Sequence, residues 1–221
     1  AIDPVIVHNY TIDTFEEGKR INKKALEDHF GGTDVEGPAY GMVSRFSEQK
    51  GLDILIYAIE KLCRVEDAKF YFLGTGEHYY ETKLLELSHR FPDKVFIKVG
   101  YDNELAKKIF AGSDFYLMPS QFEPCGLGQL YAMSYGSIPV VRKTGGLSDT
   151  VQPVQMDETG TGIVFEEYSE KACYKALDQA QRLYRNHNFK NAIIRNCMSQ
   201  RFTWDKSADK YIANYRLVLG E

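Results

Sequence analysis

The chain has 221 residues, of which 43% are hydrophobic and 13% aromatic, a composition typical of a folded globular protein. Its formal charge of −4 argues against a general nucleic-acid binder or a protein of anionic membranes. No apolar run approaches the roughly 20 residues of a membrane-spanning helix, and no signal peptide opens the chain. We therefore expect neither nucleic acid nor a membrane as a partner.

The cysteines and histidines of the chain form no recognisable ligand set. Four cysteines lie far apart without CxxC spacing, and five histidines form no HxxxH pair. This pattern argues against a disulfide framework or a metal site and is typical of a reduced, cytoplasmic protein. We expect no metal and no bound cofactor.

The first segment opens without methionine and has no clear start signal, so we interpret the chain as part of a longer protein. An exposed helix is predicted over residues 19–30, and from residue 39 onwards strands and helices alternate. Apolar residues at positions 52, 55, 56, 59 and 62, for example, have helical spacing. The predicted strands are 39–46, 69–73, 94–99, 114–118, 138–142 and 162–165, and the predicted helices are 52–63, 78–90, 103–111, 128–135, 169–186, 190–201 and 204–219.

This alternation with short connections predicts an α/β fold, a doubly wound, Rossmann-like parallel sheet. We assign residues 1–37 to a leading segment, 38–201 to the Rossmann-like domain and 202–221 to a C-terminal helix. In such sheets ligands bind outside the carboxyl ends of the strands. The loops at 45–51, 74–77, 100–102, 120–128 and 142–146 should all line that edge.

Residues 121–149 form the most informative segment, QFEPCGLGQLYAMSYGSIPVVRKTGGLSD. Two loops lie there between a strand and a helix, where free N–H groups and the helix dipole favour anions. Glu123 stands in the first loop, and Lys143 precedes the Gly145–Gly146 pair in the second. Either loop alone is equally well explained as a tight turn. Together they indicate group transfer from a phosphorylated donor.

The first strand–helix loop carries two cations, Arg45 and Lys50. Solvated surface charge is the simpler explanation, whereas a guanidinium and an ammonium at this edge could together hold a diphosphate. Gly74-Thr75-Gly76 follows a strand but lacks the third glycine of a dinucleotide fingerprint, and no GxxxxGK[ST] phosphate loop is present.

Three segments resemble bacterial glycogen synthases and plant starch synthases: RFSEQKGLD at 45–53, EPCGLGQLYAM at 123–133 and RKTGGLSD at 142–149. The resemblance extends from about residue 19 to 218 and corresponds to the C-terminal half of those enzymes. It implies the C-terminal domain of a retaining glycosyltransferase with two Rossmann-like domains, the GT-B type. Such an enzyme extends an α-1,4-glucan from ADP-glucose or UDP-glucose, in the cytoplasm or, in plants, the plastid.

The resemblance also implies roles for single residues. Arg45 and Lys50 would hold the donor diphosphate, Tyr101 would stack on the base, and Glu123 would be the active-site carboxylate. The donor would further be contacted by Cys125, Gly126, Leu127, Gly128, Thr144, Gly145 and Gly146. The N-terminal domain that would bind the acceptor is absent from this chain.

Two positions depart from common patterns. Tyr131 stands where many related transferases carry a second glutamate, which fits the glycogen and starch synthase branch. Gly128 replaces the threonine or serine common in that branch, so a side-chain contact to phosphate is in doubt. Two other functions stay open: a glycan phosphorylase-like domain, which would need pyridoxal phosphate, and a non-catalytic nucleotide-sugar-binding module.

Overall fold

The computed structural model describes residues 3–220, without the side chains of residues 205–207 and 210. Within this range a six-stranded sheet has the order β3-β2-β1-β4-β5-β6, and all its pairings are parallel. The strands are β1 (Ala39–Val43), β2 (Lys69–Gly74), β3 (Val95–Val99), β4 (Phe115–Met118), β5 (Ile138–Arg142) and β6 (Ile163–Phe165). The predicted doubly wound sheet is confirmed, and its order reverses between β1 and β4.

Helices connect the strands and cover both faces of the sheet. They are α1 (Phe15–His29), α2 (Leu52–Cys63), α3 (His78–Arg90), α4 (Asn103–Gly112), α5 (Gly128–Ser134), α6 (Gly145–Thr150), α7 (Glu170–Arg185), α8 (His187–Ser199) and α9 (Trp204–Leu219). None of the helices within residues 3–220 combines the length and apolar character needed to cross a membrane.

Alternating side chains of β2 show how the two faces are filled. Phe70 and Phe72 belong to a hydrophobic cluster that includes residues of α2, α3, α7 and α8. Tyr71 and Leu73 belong to a second cluster with residues of α1 and α4. Every residue of β2 is buried, as expected for an inner strand of a parallel sheet covered on both sides.

The first helix differs from its prediction in position and exposure. It begins at Phe15 rather than at residue 19, and one of its faces is buried, including Lys19. The Lys19 ammonium donates to the carbonyl oxygens of Ala111 (3.1 Å), Ser113 (2.8 Å) and Tyr135 (3.1 Å), at the ends of α4 and α5. Helix ends leave carbonyl groups without partners in the helix, so a buried lysine satisfies them here. Burial lowers the pKa of Lys19 to about 7, although the nearby Asp114 carboxylate acts in the opposite direction.

Two other boundaries differ from their predictions by three residues. Strand β1 ends at Val43 rather than at residue 46, because the chain turns away and Phe46 forms only an isolated bridge with Gly76. Helix α8 begins at His187 rather than at residue 190, because the Asn186 side chain accepts a hydrogen bond from the Phe189 N–H and caps it.

The last helix, α9, packs differently from the others. Each of its described side chains is exposed, including Trp204 at 88% and Tyr215 at 63%. Its predicted bounds are confirmed, but the apolar spacing that predicted it does not correspond to a buried face among the described residues.

Candidate active site

A cavity of about 180 Å³ opens at the carboxyl end of the sheet, where the strand order reverses between β1 and β4. This is the position expected for a ligand in an open α/β sheet. The cavity brings together six of the predicted site residues: Arg45, Lys50, Glu123, Gly126, Leu127 and Gly128. Its other lining residues are Met42, Val43, Ser44, Tyr116, Leu117, Met118 and Ser120.

A partly buried ion pair occupies the wall of this cavity. Lys50 Nζ lies 2.6 Å from Glu123 Oε2, with the side chains 20% and 8% exposed. The Ser120 hydroxyl donates to the same carboxylate oxygen at 3.2 Å. The predicted cation and carboxylate thus contact each other directly, and Lys50 neutralises the charge of Glu123.

The loop that carries Glu123 is held by side chains from two sides. Arg142, at the end of β5, donates from Nε to the Ser120 carbonyl at 2.9 Å and from its guanidinium to the Gln121 carbonyl. From the other side, the Gln121 N–H donates to the Gln49 carbonyl at 2.9 Å, and Gln49 Nε2 donates to the Phe122 carbonyl at 3.2 Å. These contacts fix the backbone on the N-terminal side of Glu123.

Sequence reasoning did not assign Arg142 a role. Its position as the last residue of a strand, at the edge where ligands bind, was the one signal that could have identified it.

The glycine pair of the second loop packs against the first loop. The Gly146 N–H donates to the Glu123 carbonyl at 3.0 Å, and a Cβ atom at Gly146 would lie 2.6 Å from Cys125 Cα. Gly145 has a positive φ of 43°. The two glycines thus let the loops approach closely, and the Gly146 N–H is engaged within the protein. Neither glycine lines the cavity, and the half-buried Thr144 does not line it either.

Gln129 holds the backbone between Glu123 and α5. Its Nε2 atom donates to the carbonyls of Cys125 (3.0 Å) and Gly126 (3.1 Å) and to Thr150 Oγ1 (3.2 Å). The Cys125 thiol is exposed and free. The hydrogen bonds of Gln129 thus fix the N-terminus of α5 beside the cavity. Sequence reasoning did not identify Gln129 either.

Two predicted residues, Tyr101 and Lys143, lie at the same edge of the sheet but outside the cavity. Tyr101 follows β3, two strands away from β1, and is 93% exposed. Lys143 is exposed and pairs with Glu166 at 2.6 Å. Arg45 lines the cavity rim and is exposed, with Nη2 donating to Gln49 Oε1 at 3.2 Å.

The described residues, 3–220, contain no cluster of three or more histidine, cysteine, aspartate or glutamate side chains suited to a metal ion.

A doubly wound parallel sheet with a carboxylate, two cations and a helix N-terminus at its switch point is the arrangement of a Rossmann-like domain suited to an anionic ligand. Residues 25–196 match the family described as "Glycosyl transferases group 1". The chain belongs to this family.

Curated relatives and a solved structure resemble the whole chain. It is 44% identical over 220 residues to a glycogen synthase of Kosmotoga olearia, covering 99% of this chain and 46% of the relative. It is 44% identical over 218 residues to a glycogen synthase of Exiguobacterium sibiricum, covering 98% and 45%. The catalytic domain of starch synthase IV from Arabidopsis thaliana, bound to ADP and acarbose, aligns with a TM-score of 0.88 and 30% identity, covering 100% and 46%. The chain thus spans about half the length of the curated relatives it matches.

Proposed function

We propose that this chain is the nucleotide-sugar-binding half of a glycogen synthase. The enzyme transfers glucose from ADP-glucose, or UDP-glucose, to the non-reducing end of an α-1,4-glucan with retention of anomeric configuration. The observation that carries this proposal is the Lys50–Glu123 pair in a cavity at the switch point of the sheet. The glycogen synthase relatives and the ADP-bound structural neighbour support it.

The residues divide into two roles in this proposal. Arg45 and Lys50 bind the diphosphate and stabilise the negative charge that grows on it as the bond to glucose breaks. The carboxylate of Glu123 stabilises the positive charge that develops on the glucosyl ring at the same moment. Both effects are strongest in the transition state and therefore raise the rate more than they raise ground-state affinity.

The remaining contacts are proposed from the resemblance. Tyr101 stacks on the base, which requires the donor to extend from the cavity toward β3. The backbone of Cys125, Gly126, Leu127 and Gly128 faces the donor sugar and phosphates, and Thr144, Gly145 and Gly146 lie against the phosphates or the sugar. We assign residues 38–201 to this donor-binding domain, with residues 1–37 leading into it and 202–221 forming a C-terminal helix.

An N-terminal domain of the same polypeptide supplies the glucan acceptor site in this proposal. We place the enzyme in the cytoplasm, and the two bacterial relatives give no support for a plastid.

The test uses the full-length protein with ADP-glucose or UDP-glucose and a glucan primer. We expect primer extension with release of the nucleoside diphosphate, and calorimetry gives the preferred base. Donor binding without extension would favour a nucleotide-sugar-binding module. An absorbance band from bound pyridoxal phosphate would favour a phosphorylase. The absence of binding by either donor would refute the proposal.

A further inference from the structure

The two strands that flank the cavity separate before they end. The pairing of β1 with β4 stops at Gly41 and Tyr116, whereas the pairing of β1 with β2 continues to Val43. Residues of both strands beyond this point line the cavity. The gap between the two strands therefore forms part of the donor site.

One side chain spans this gap. The Tyr116 hydroxyl accepts a hydrogen bond from the Val43 N–H at 3.2 Å and donates to the Val43 carbonyl at 2.9 Å. Tyr116 is 1% exposed, and burial raises the pKa of its phenol, so the hydroxyl keeps its proton. The phenol thus replaces a backbone pairing that the separated strands no longer make.

The ring of Tyr116 also packs against the beginning of α5. A Cβ atom at Gly128, the first residue of that helix, would lie 2.9 Å from both Cε1 and the hydroxyl oxygen of Tyr116. Real Cβ atoms essentially never approach other atoms so closely. A side chain at position 128 would therefore force the tyrosine ring or the start of α5 to shift.

We propose that Tyr116 is a positioning residue that holds the donor cavity open between β1 and β4, and that Gly128 is the residue this arrangement requires. Tyr116 acts through Val43, which precedes the Ser44–Arg45 segment of the cavity wall, and through the N-terminus of α5. The identity of the ligand in this inference rests on the proposed function, whereas the steric fit between Tyr116 and Gly128 does not.

The first test is Tyr116→Phe in the full-length protein. This change keeps the ring and leaves the Val43 N–H and carbonyl without their partner, so the cavity wall loses its fixed position. We expect KM for ADP-glucose to rise about 10-fold, as expected for about 1.4 kcal/mol of lost binding, while kcat changes less than about 3-fold. The matched control is Tyr71→Phe, because Tyr71 is equally buried on β2 and its hydroxyl has no hydrogen-bond partner among the described residues. An unchanged KM in Tyr116→Phe, or an equal change in the control, would overturn the positioning role.

The second test needs no ligand. Gly128→Ala should lower the thermal stability of the wild type, but the same change should cost much less in Tyr116→Leu, where the ring is gone. If the two changes are additive, the fit between Tyr116 and Gly128 is wrong. If the wild type binds no nucleotide sugar, the proposed function fails, and this cycle still decides whether the two residues are coupled.

Discussion

At the scale of single residues, the ammonium group of Lys50 balances the negative charge of Glu123 in the cavity. This group lies 2.6 Å from a carboxylate that is itself 8% exposed. Arg45, by contrast, is exposed at the rim. Both cations are expected to bind the same diphosphate, but only Lys50 also compensates a buried charge.

Replacing either cation by alanine should weaken ADP binding by roughly 1.5–3 kcal/mol, the range for hydrogen bonds to charged groups. Lys50→Ala should in addition lower the free energy of unfolding, because it leaves the Glu123 carboxylate buried without its counterion. Arg45→Ala should leave it nearly unchanged. Calorimetry and thermal unfolding measure the two effects, with Arg182→Ala as a control that removes an exposed arginine of α7. Equal losses of stability in both cavity variants would contradict this distinction.

Glu123→Gln separates binding from chemistry. ADP carries no glucose, and the neutral amide competes less for Lys50, so ADP should bind at least as tightly as to the wild type. The kcat of the full-length protein should fall by about 10²-fold or more, the scale for losing one preorganised electrostatic contact. The control is Glu166→Gln, which neutralises an exposed carboxylate paired with Lys143. A near-normal kcat in Glu123→Gln would rule out the catalytic role.

The sequence predicted which charged residues meet, but not how they are held. Arg45, Lys50 and Glu123 could be placed together because the carboxyl ends of parallel strands share one edge of the sheet. Tyr116 and Arg142 could not be identified from the sequence. A tyrosine inside a buried strand is usually a core residue, and an arginine at the end of a strand is usually a surface residue. Their roles depend on the direction in which each side chain points, and the hydrophobic periodicity of the sequence does not predict that direction.

At the scale of elements, the burial of Lys19 in α1 predicts that the stability of the chain depends on pH. Its pKa is about 7 in the folded chain, against an ordinary value of 10.5. Between pH 7 and about 10, Lys19 is protonated in the unfolded chain but mostly neutral in the folded chain. The free energy of unfolding should therefore rise with pH across this range. In Lys19→Met this pH-dependent contribution to the free energy of unfolding should be absent.

The measurement is urea unfolding of the wild type and Lys19→Met at several values between pH 7 and 10, because other titrating groups cancel in the difference. Lys24→Met, an exposed lysine of the same helix, is the control. A difference that stays constant with pH would mean that the Lys19 ammonium remains charged in the folded chain.

The prediction of α1 was correct about the existence of the helix but wrong about its first residue and its exposure. The bounds of α2, α3 and α9 were predicted correctly, because apolar residues at helical spacing mark those helices. The buried face of α1 contains Lys19 and Asn22, which normally mark a surface. Only the positions of the ends of α4 and α5, which are not local in sequence, explain why a lysine is buried there.

At the scale of the whole molecule, the exposure of the described α9 side chains predicts that this helix contributes little to the stability of the chain. A truncation after Arg201 should shift the melting temperature by no more than about 2 °C, because surface changes usually cost within 0.5 kcal/mol. A truncation after Asn186 is the contrasting control, since it also removes the buried Ile193 and Cys197 of α8 and should abolish cooperative unfolding. A large loss of stability in the first truncation would show that α9 packs on the domain.

The exposed position of Trp204 has a spectroscopic consequence. It is the single tryptophan of the chain and the first residue of α9. Because its indole is already surrounded by water in the folded chain, tryptophan emission will change little when the core unfolds, and unfolding has to be followed by circular dichroism or tyrosine signals. The same indole would shift to shorter wavelength if another surface covered α9, so the chain carries its own fluorescent reporter for docking at that helix.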